Sequence, residues 1–460
     1  MTAAYEAFLA SKVALAQPCG IRVPDEALPS WLFDFQRAIT PWALGRGRAA
    51  IFAATGLGKT AMQLAWAERV AIETAAPVLL LAPLAVGQQT AGEAKRFGAA
   101  ATLCREHSDV RAGINITNYD RLDHFDPSAF GGVVLDESSI LKAYDGATRA
   151  ALTEAFSRTA YRLACTATPA PNDIMELANH AEFLGVMTRA EMLATFFVHD
   201  GGETQKWRLK GHAESDFWRW MASWAVMFTS PADLGFDGER YVLPPLSIRE
   251  HVLDAPATSH DSLFALEAST LMERRAARRA SLSDRVRRVA ELVAAEPDEP
   301  WLIWCDLNDE AGALAAIIPG ATEVRGTDDP DEKESALLAF SRGEARVLVT
   351  KPSIAGFGMN WQHCARIAFC GVSDSWEAFH QAIRRCWRFG QRREVLVHVV
   401  STTTENAVLR NLQRKERGAA AMTAAMVAQM QLHSDVVRGR PIAPDAAERR
   451  YIIPEWLKVA

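Results

Sequence analysis

Ala53-Ala54-Thr55-Gly56-Leu57-Gly58-Lys59-Thr60 is the stretch on which the reading of this chain turns. It follows a short apolar run, Ala49 to Ala53, and precedes a helix-like pattern from Ala61 to Ala71. A strand that breaks into a glycine-bearing loop and then a helix is the setting a phosphate cradle requires. Gly56 and Gly58 allow tight bends in which successive backbone N–H groups point at phosphate oxygens. Lys59 adds a point charge for the outer phosphates, Thr60 a hydroxyl for Mg²⁺, and the start of the helix a further attraction for anions. The loop thus predicts an ATP or GTP site built from Thr55, Gly56, Leu57, Gly58, Lys59 and Thr60. The strict form of the pattern has glycine at position 53, where this chain has alanine.

Downstream, apolar runs alternate with helix-like segments. Val78 to Ala82 ends in Pro83, Ile114 to Thr117 leads to Asn118-Tyr119, and Gly132 to Leu135 leads to Asp136-Glu137-Ser138-Ser139. Continuous apolar runs of this length read as strands buried on both faces of a parallel sheet. Their alternation with helices predicts a doubly wound α/β domain. Two adjacent carboxylates at a strand end, downstream of a phosphate loop, predict Asp136 as a Mg²⁺ ligand and Glu137 as the group that orients or deprotonates water. Tyr161 to Cys165 is a further strand, ending in Thr166-Ala167-Thr168-Pro169.

From about Val186 to Leu282 the alternation stops. This segment holds Trp207, Phe217, Trp218, Trp220, Trp224 and Phe228, then Arg274-Arg275-Ala276-Ala277-Arg278-Arg279, and reads as a mostly helical insertion or linker. Trp220 and Trp224 share a helix face and point to a hydrophobic core rather than a base-stacking surface. A second α/β pattern follows, with candidate strands at Trp301 to Cys305, Thr322 to Val324, Arg346 to Thr350, Arg366 to Phe369 and Val395 to Val400. It has no phosphate loop of its own. Its contribution is Gln381-Ala382-Ile383-Arg384-Arg385-Cys386-Trp387-Arg388-Phe389-Gly390-Gln391, where Arg385 and Arg388 fall on one helical face. Guanidinium groups placed there can meet a γ-phosphate across a closing cleft and stabilise its transition-state charge.

Bulk composition sets the frame. A chain of 460 residues exceeds the roughly 250–300 at which one core stops growing, so two or more domains are expected. A net charge of -6 gives no global footprint for a polyanion, so any nucleic-acid surface must be a local patch. The seven cysteines form no C-x-x-C pair and read as reduced, buried thiols. No stretch approaches the roughly 20 apolar residues of a membrane span, and none at the start has signal-peptide character, so cytoplasmic residence is expected.

Taken in order, these motifs resemble those of superfamily 2 helicases. The closest likeness is to a compact Swi/Snf-type ATPase, a DEAD/DEAH-box relative of the reduced kind found in phages and prophages. The resemblance runs over roughly Leu32 to Asn411, excluding most of the insertion, and Gln381, Arg385, Arg388, Gly390 and Gln391 match that group's sixth motif. It implies ATP and Mg²⁺ as cofactors and a bacterial or phage-infected cell as the setting. Gln36, upstream of the loop, is placed like the glutamine that hydrogen-bonds the adenine edge, which an amide does by donating and accepting at once. Pro352-Ser353-Ile354-Ala355-Gly356-Phe357-Gly358-Met359-Asn360-Trp361 is similar to the fifth motif, which implies Gly358 in nucleotide binding, and the sixth motif implies Gln381 there. Pro83, Asn118, Tyr119, Thr166, Thr168, Ser353, Gly356 and Asn360 are then implied in nucleic-acid contact or coupling. Ser138-Ser139 stands where better-known branches have other residues.

The expected organisation is an N-terminal segment (1–30), a RecA-like ATP-binding lobe (31–185), the insertion (186–282), a second RecA-like lobe (283–420) and a tail (421–460). The expected function is ATP-driven translocation on double-stranded DNA. Two alternatives are a strand-separating DNA or RNA helicase, with single-stranded DNA or RNA as the partner, and a nucleotide-gated DNA-binding adaptor that recruits a nuclease or methyltransferase. Protein partners stay open.

Overall fold

Short, wholly apolar segments form the centres of two parallel sheets, because only strands covered by helices on both faces tolerate such sequences. A computed structural model describes residues 15–142, 146–170, 173–199, 207–254, 279–355, 359–371, 375–403, 406–434 and 436. The first part of the chain contains β1 (Arg48–Ala53), β2 (Val78–Ala82), β3 (Ala101–Leu103), β4 (Ile114–Asn118), β5 (Gly132–Asp136), β6 (Tyr161–Thr166), β7 (Phe197–His199), β8 (Trp207–Leu209) and β9 (Ala225–Phe228). Seven of these make one sheet in the order β3-β4-β2-β5-β6-β1-β9, every neighbouring pair parallel. β7 and β8 form a separate antiparallel hairpin.

Side chains alternate across this sheet with the two-residue period of a strand. Ala50 and Phe52 of β1 and Leu79 and Leu81 of β2 enter one apolar layer. Ala49, Ile51, Ala53, Val78, Leu80 and Ala82 enter the other, with Trp66 of the helix Lys59–Thr74 and Ile39 of the helix Asp34–Arg46.

A second sheet is built from β10 (Leu246–Leu253), β11 (Trp301–Trp304), β12 (Ala321–Glu323), β13 (Val347–Thr350), β14 (Arg366–Phe369) and β15 (Val395–Thr402). Their order is β10-β15-β14-β11-β13-β12, again all parallel. Leu302 and Trp304 pack on one face while Trp301, Ile303 and Cys305 pack on the other. The architecture is α/β with two parallel-sheet lobes of RecA-like form.

The segment expected to be mostly helical contributes to both lobes. β9 closes the first sheet beside β1, and β10 extends the second beside β15. β9 is only four apolar residues behind a tryptophan-rich helix, and β10 is an edge strand whose charged Arg249 and Glu250 break the apolar run. Trp220 and Trp224 are fully buried in the first lobe, 5.4 Å apart and edge-on, with Phe196 and Phe217 around them. They are core, and most of the arginine-rich stretch, with the chain end from 437, lies outside the described residues. The C-terminal helix Asn406–His433 leaves the second lobe and lays Met426, Val427 and Met430 on this same core. Six of the seven cysteines are buried, and Cys19 is exposed, all as free thiols. No described helix is long and apolar enough to cross a membrane.

Truncating a fully enclosed indole leaves a cavity that the neighbouring rings cannot fill. Trp220→Ala is expected to lower the unfolding free energy by about 3–5 kcal/mol in urea titration; a loss near zero would mean that the ring is not core.

Candidate active site

Ligand sites of open parallel sheets form beyond the carboxyl ends of the strands, and the first sheet places three motifs there. Register pairs Ile51 with Cys165, and Cys165 with Asp136, so β6 separates the phosphate loop from the carboxylates. Two strand spacings make that gap about 10 Å, and Thr166 stands at its edge. Gly56 and Gly58 take φ of 92° and 71°, which a side chain would resist. A Cβ on Gly58 would lie 2.4 Å from Gln36 Nε2, and one on Gly56 would lie 2.7 Å from the backbone nitrogen of Phe389 in the second lobe.

Gln36 is the third residue of the helix Asp34–Arg46 and is buried. Its Oε1 accepts from Phe33 N–H (3.0 Å) and its Nε2 donates to the Leu57 carbonyl (3.1 Å), so it ties the helix start to the loop. Lys59 Nζ donates to the Ala53 carbonyl at 2.9 Å. Burial lowers the Lys59 pKa against the pull of Glu137 and Asp136.

Asp136 Oδ1 accepts from Gln63 Nε2 (2.8 Å) and from the Glu137 N–H (3.1 Å). Burial, and then the neighbouring Glu137, push its pKa up to about 6. Glu137 has φ of 53°, a left-handed backbone that costs a non-glycine residue about 1 kcal/mol or more. Thr166 Oγ1 approaches Glu137 Oε2 at 3.4 Å and accepts from Thr168 N–H at 3.1 Å. Tyr119 donates its hydroxyl to the Asp136 carbonyl at 2.6 Å, and burial holds that phenol well above its ordinary pKa.

In the second lobe, Arg385 and Arg388 do not share a helical face: the helix Trp376–Ile383 stops short of them and both lie in the turn that follows. Arg385 donates from Nε to the Gln381 carbonyl (3.0 Å) and from a terminal nitrogen to Gln381 Oε1 (3.0 Å). Gln381 is buried and holds Arg385; it does not line the cleft. Burial lowers the pKa of Arg385, and that of Arg388 to about 10. A guanidinium group is not deprotonated in proteins at neutral pH, so both are cations.

Loop, carboxylates and arginines face one cavity of about 480 Å³ between the lobes. Its lining includes Gln36, Thr55 to Thr60, Asp136, Glu137, Asn360, Arg385 and Arg388. Arg388 Nε and Asn360 Oδ1 are buried without a hydrogen-bond partner among the described residues, as walls awaiting a polar ligand would be. Pro83, Asn118, Tyr119, Thr166, Thr168 and Ser353 stand outside this lining. Asn118 Oδ1 and Thr168 Oγ1 are likewise buried and unpartnered, and Ser353 is exposed. Gly356 and Gly358 lie outside the described residues.

Residues 284–390 match the family model described as the helicase conserved C-terminal domain. The second lobe is helicase-like. The chain is also similar to the bifunctional helicase and thymine dioxygenase JBP2 of Leishmania braziliensis, with 36% identity over 107 residues. The same protein of Leishmania infantum gives 34% over 107 residues. Each alignment covers 22% of this chain and 10% of the relative, so the likeness concerns one module of much longer proteins.

Sequence reasoning missed the aromatic wall of the cavity. Tyr241, between the lobes, stacks on Phe389 with centroids 4.9 Å apart and meets Phe33 and Phe35 edge-on. Trp31 stacks on Phe97 at 4.5 Å. Only the F-G step after Arg388 hinted at this, since the other contacts join residues remote in sequence.

The loop geometry leaves no room for a methyl group at position 58. Gly58→Ala forces a left-handed alanine and displaces the Gln36 amide, so a loss of about 1–3 kcal/mol in unfolding free energy is expected. Denaturant titration with a cost near zero would show that the loop is not built this way.

Proposed function

We propose that the protein is an ATP-dependent nucleic-acid motor, a Swi/Snf-like translocase on double-stranded DNA. One observation carries this reading: the phosphate loop of one lobe and the arginine pair of the other line a single cleft. The cleft has room for a nucleotide, a lysine for its outer phosphates, a carboxylate for water and two cations for the transferring group. The helicase-like second lobe and the word helicase in the relatives' names support the same class.

The residues fit Mg²⁺ as well. Among the described residues no group of three or more His, Cys, Asp or Glu side chains is placed to hold a metal. Mg²⁺ in nucleotide sites takes one or two protein ligands and draws the rest from phosphate and water, and Thr60 and Asp136, both on the cavity wall, would provide those ligands. The ion would neutralise charge on the phosphates.

In this reading Lys59 leaves the Ala53 carbonyl for the β- and γ-phosphates when ATP enters. Glu137 aligns the attacking water, with Thr166 steadying its carboxylate. Arg385 and Arg388 stabilise charge on the γ-phosphoryl group as the lobes close, and opening follows hydrolysis. Alternation between the two states moves the lobes' grips along a phosphate backbone. The aromatic wall of Tyr241 and Phe389 accounts for the base end of the cavity beside Gln36.

Glu137→Gln should keep ATP binding within about twofold of wild type and lower kcat by at least about 10²-fold, since the amide cannot accept the water's proton. Calorimetry beside steady-state hydrolysis checks both, and unaltered turnover would remove Glu137 from its role. Acidification should weaken Mg²⁺ binding about tenfold per pH unit below about 6, because Asp136 must lose its proton to bind. Hydrolysis by wild type should rise most with duplex DNA and lose that rise as salt is added. Stimulation by single strands or RNA alone would replace translocation with strand separation.

A further inference from the structure

A continuous run of contacts joins the turn after Glu137 in one lobe to the helix that precedes Arg385 in the other. After Glu137 the chain makes the turn Ser138–Lys142, closed by Ile140 N–H on the Glu137 carbonyl at 3.2 Å. The helix Leu177–Leu184 grips this turn with two adjacent residues. Asn179 Nδ2 donates to the carbonyls of Leu141 (2.8 Å) and Lys142 (3.0 Å), and His180 Nε2 meets Ser138 Oγ at 3.1 Å. Ser138, Asn179 and His180 are buried, so the turn is fixed to the first lobe.

Lys142, at its end, forms an ion pair with Glu377 of the second lobe. Glu377 lies in the first turn of the helix Trp376–Ile383, where a carboxylate also suits the helix dipole. That helix carries Gln381, whose side chain and carbonyl both hold Arg385. From Glu377 the path runs along one helix to Gln381 and then, by two hydrogen bonds, to Arg385 in the turn beyond its end.

We propose that Lys142 and Glu377 are a positioning pair that sets the docking of the helix Trp376–Ile383, and through Gln381 the placement of Arg385, on the turn that follows Glu137. Neither side chain lines the nucleotide cavity. They act through Arg385, and the inference rests on the motor reading. A pair with Lys142 at 40% side-chain exposure contributes modestly, so the effect on rate is several-fold rather than the full worth of an arginine finger.

The test compares steady-state hydrolysis, with saturating duplex DNA, in wild type, Lys142→Ala, Glu377→Gln, Lys142→Glu and the swap Lys142→Glu/Glu377→Lys. Expected are losses of about fivefold in kcat for the two neutral variants with KM for ATP little changed. A larger loss is expected for Lys142→Glu, which sets a second carboxylate against Glu377, and the swap should recover to within about twofold of wild type. The Glu377→Gln arm separates this role from phosphate contact by Lys142, because it removes no positive charge. A carbodiimide zero-length cross-link between Lys142 and Glu377, mapped by mass spectrometry, should form in wild type. Absence of that cross-link, unchanged or raised kcat in the neutral variants, or a swap no better than Lys142→Glu would overturn the pair while wild type stays active. A wild type inert toward ATP would sink the motor reading, and this inference with it.

Discussion

Charge held away from water organises this molecule. Lys59, Asp136, Arg385 and Arg388 crowd one cleft, and the pKa of each is shifted by burial toward its neutral form. An isolated ion in such a place is expensive, so the fold must bring opposite charges within reach of one another. It does so with backbone geometry: two parallel sheets present their strand ends to a common gap. The polar atoms left over, Arg388 Nε and Asn360 Oδ1, lie on the wall of that gap. The surface left incomplete by folding is thus the surface that a polyanionic ligand would complete.

The first lobe shows how local sequence fixes such a place. Apolar β-runs enforce the sheet, and each motif lies where its strand stops. Asp136 ends β5 and Thr166 ends β6. The left-handed Glu137 is the point at which the chain leaves the sheet, and its strain is sustained by hydrogen bonds on both sides of it. The second lobe is simpler. It supplies cations on the turn that follows a helix, held by that helix's glutamine, with Asn360 and Phe389 beside them on the cavity wall.

Much of this was legible in the residue pattern because it depends on spacing along the chain. Gly56, Gly58, Lys59 and Thr60 are a local device, as are Asp136-Glu137 and the arginines three apart. The two-lobe α/β plan followed from runs such as Val78–Ala82, which have few other stable settings. What stayed hidden depends on contacts between distant residues. β9 and β10 are strands because of what lies beside them, and no periodicity marks Ala225–Phe228 or the charged Leu246–Leu253. Tyr241 reveals its place only when Phe389 is brought against it, and Gln381 proves to hold Arg385 instead of facing the cavity.

The C-terminal helix carries a mechanical consequence. The chain passes from the first lobe to the second once, between β9 and β10, and this helix returns to bury Met426 and Met430 in the first lobe's core. The two lobes are thus tied through the chain itself at two places, in addition to the side-chain contacts across the gap. A change in the width of the gap must therefore strain both ties, and the helix Asn406–His433 is as much a part of the connection as the segment between β9 and β10.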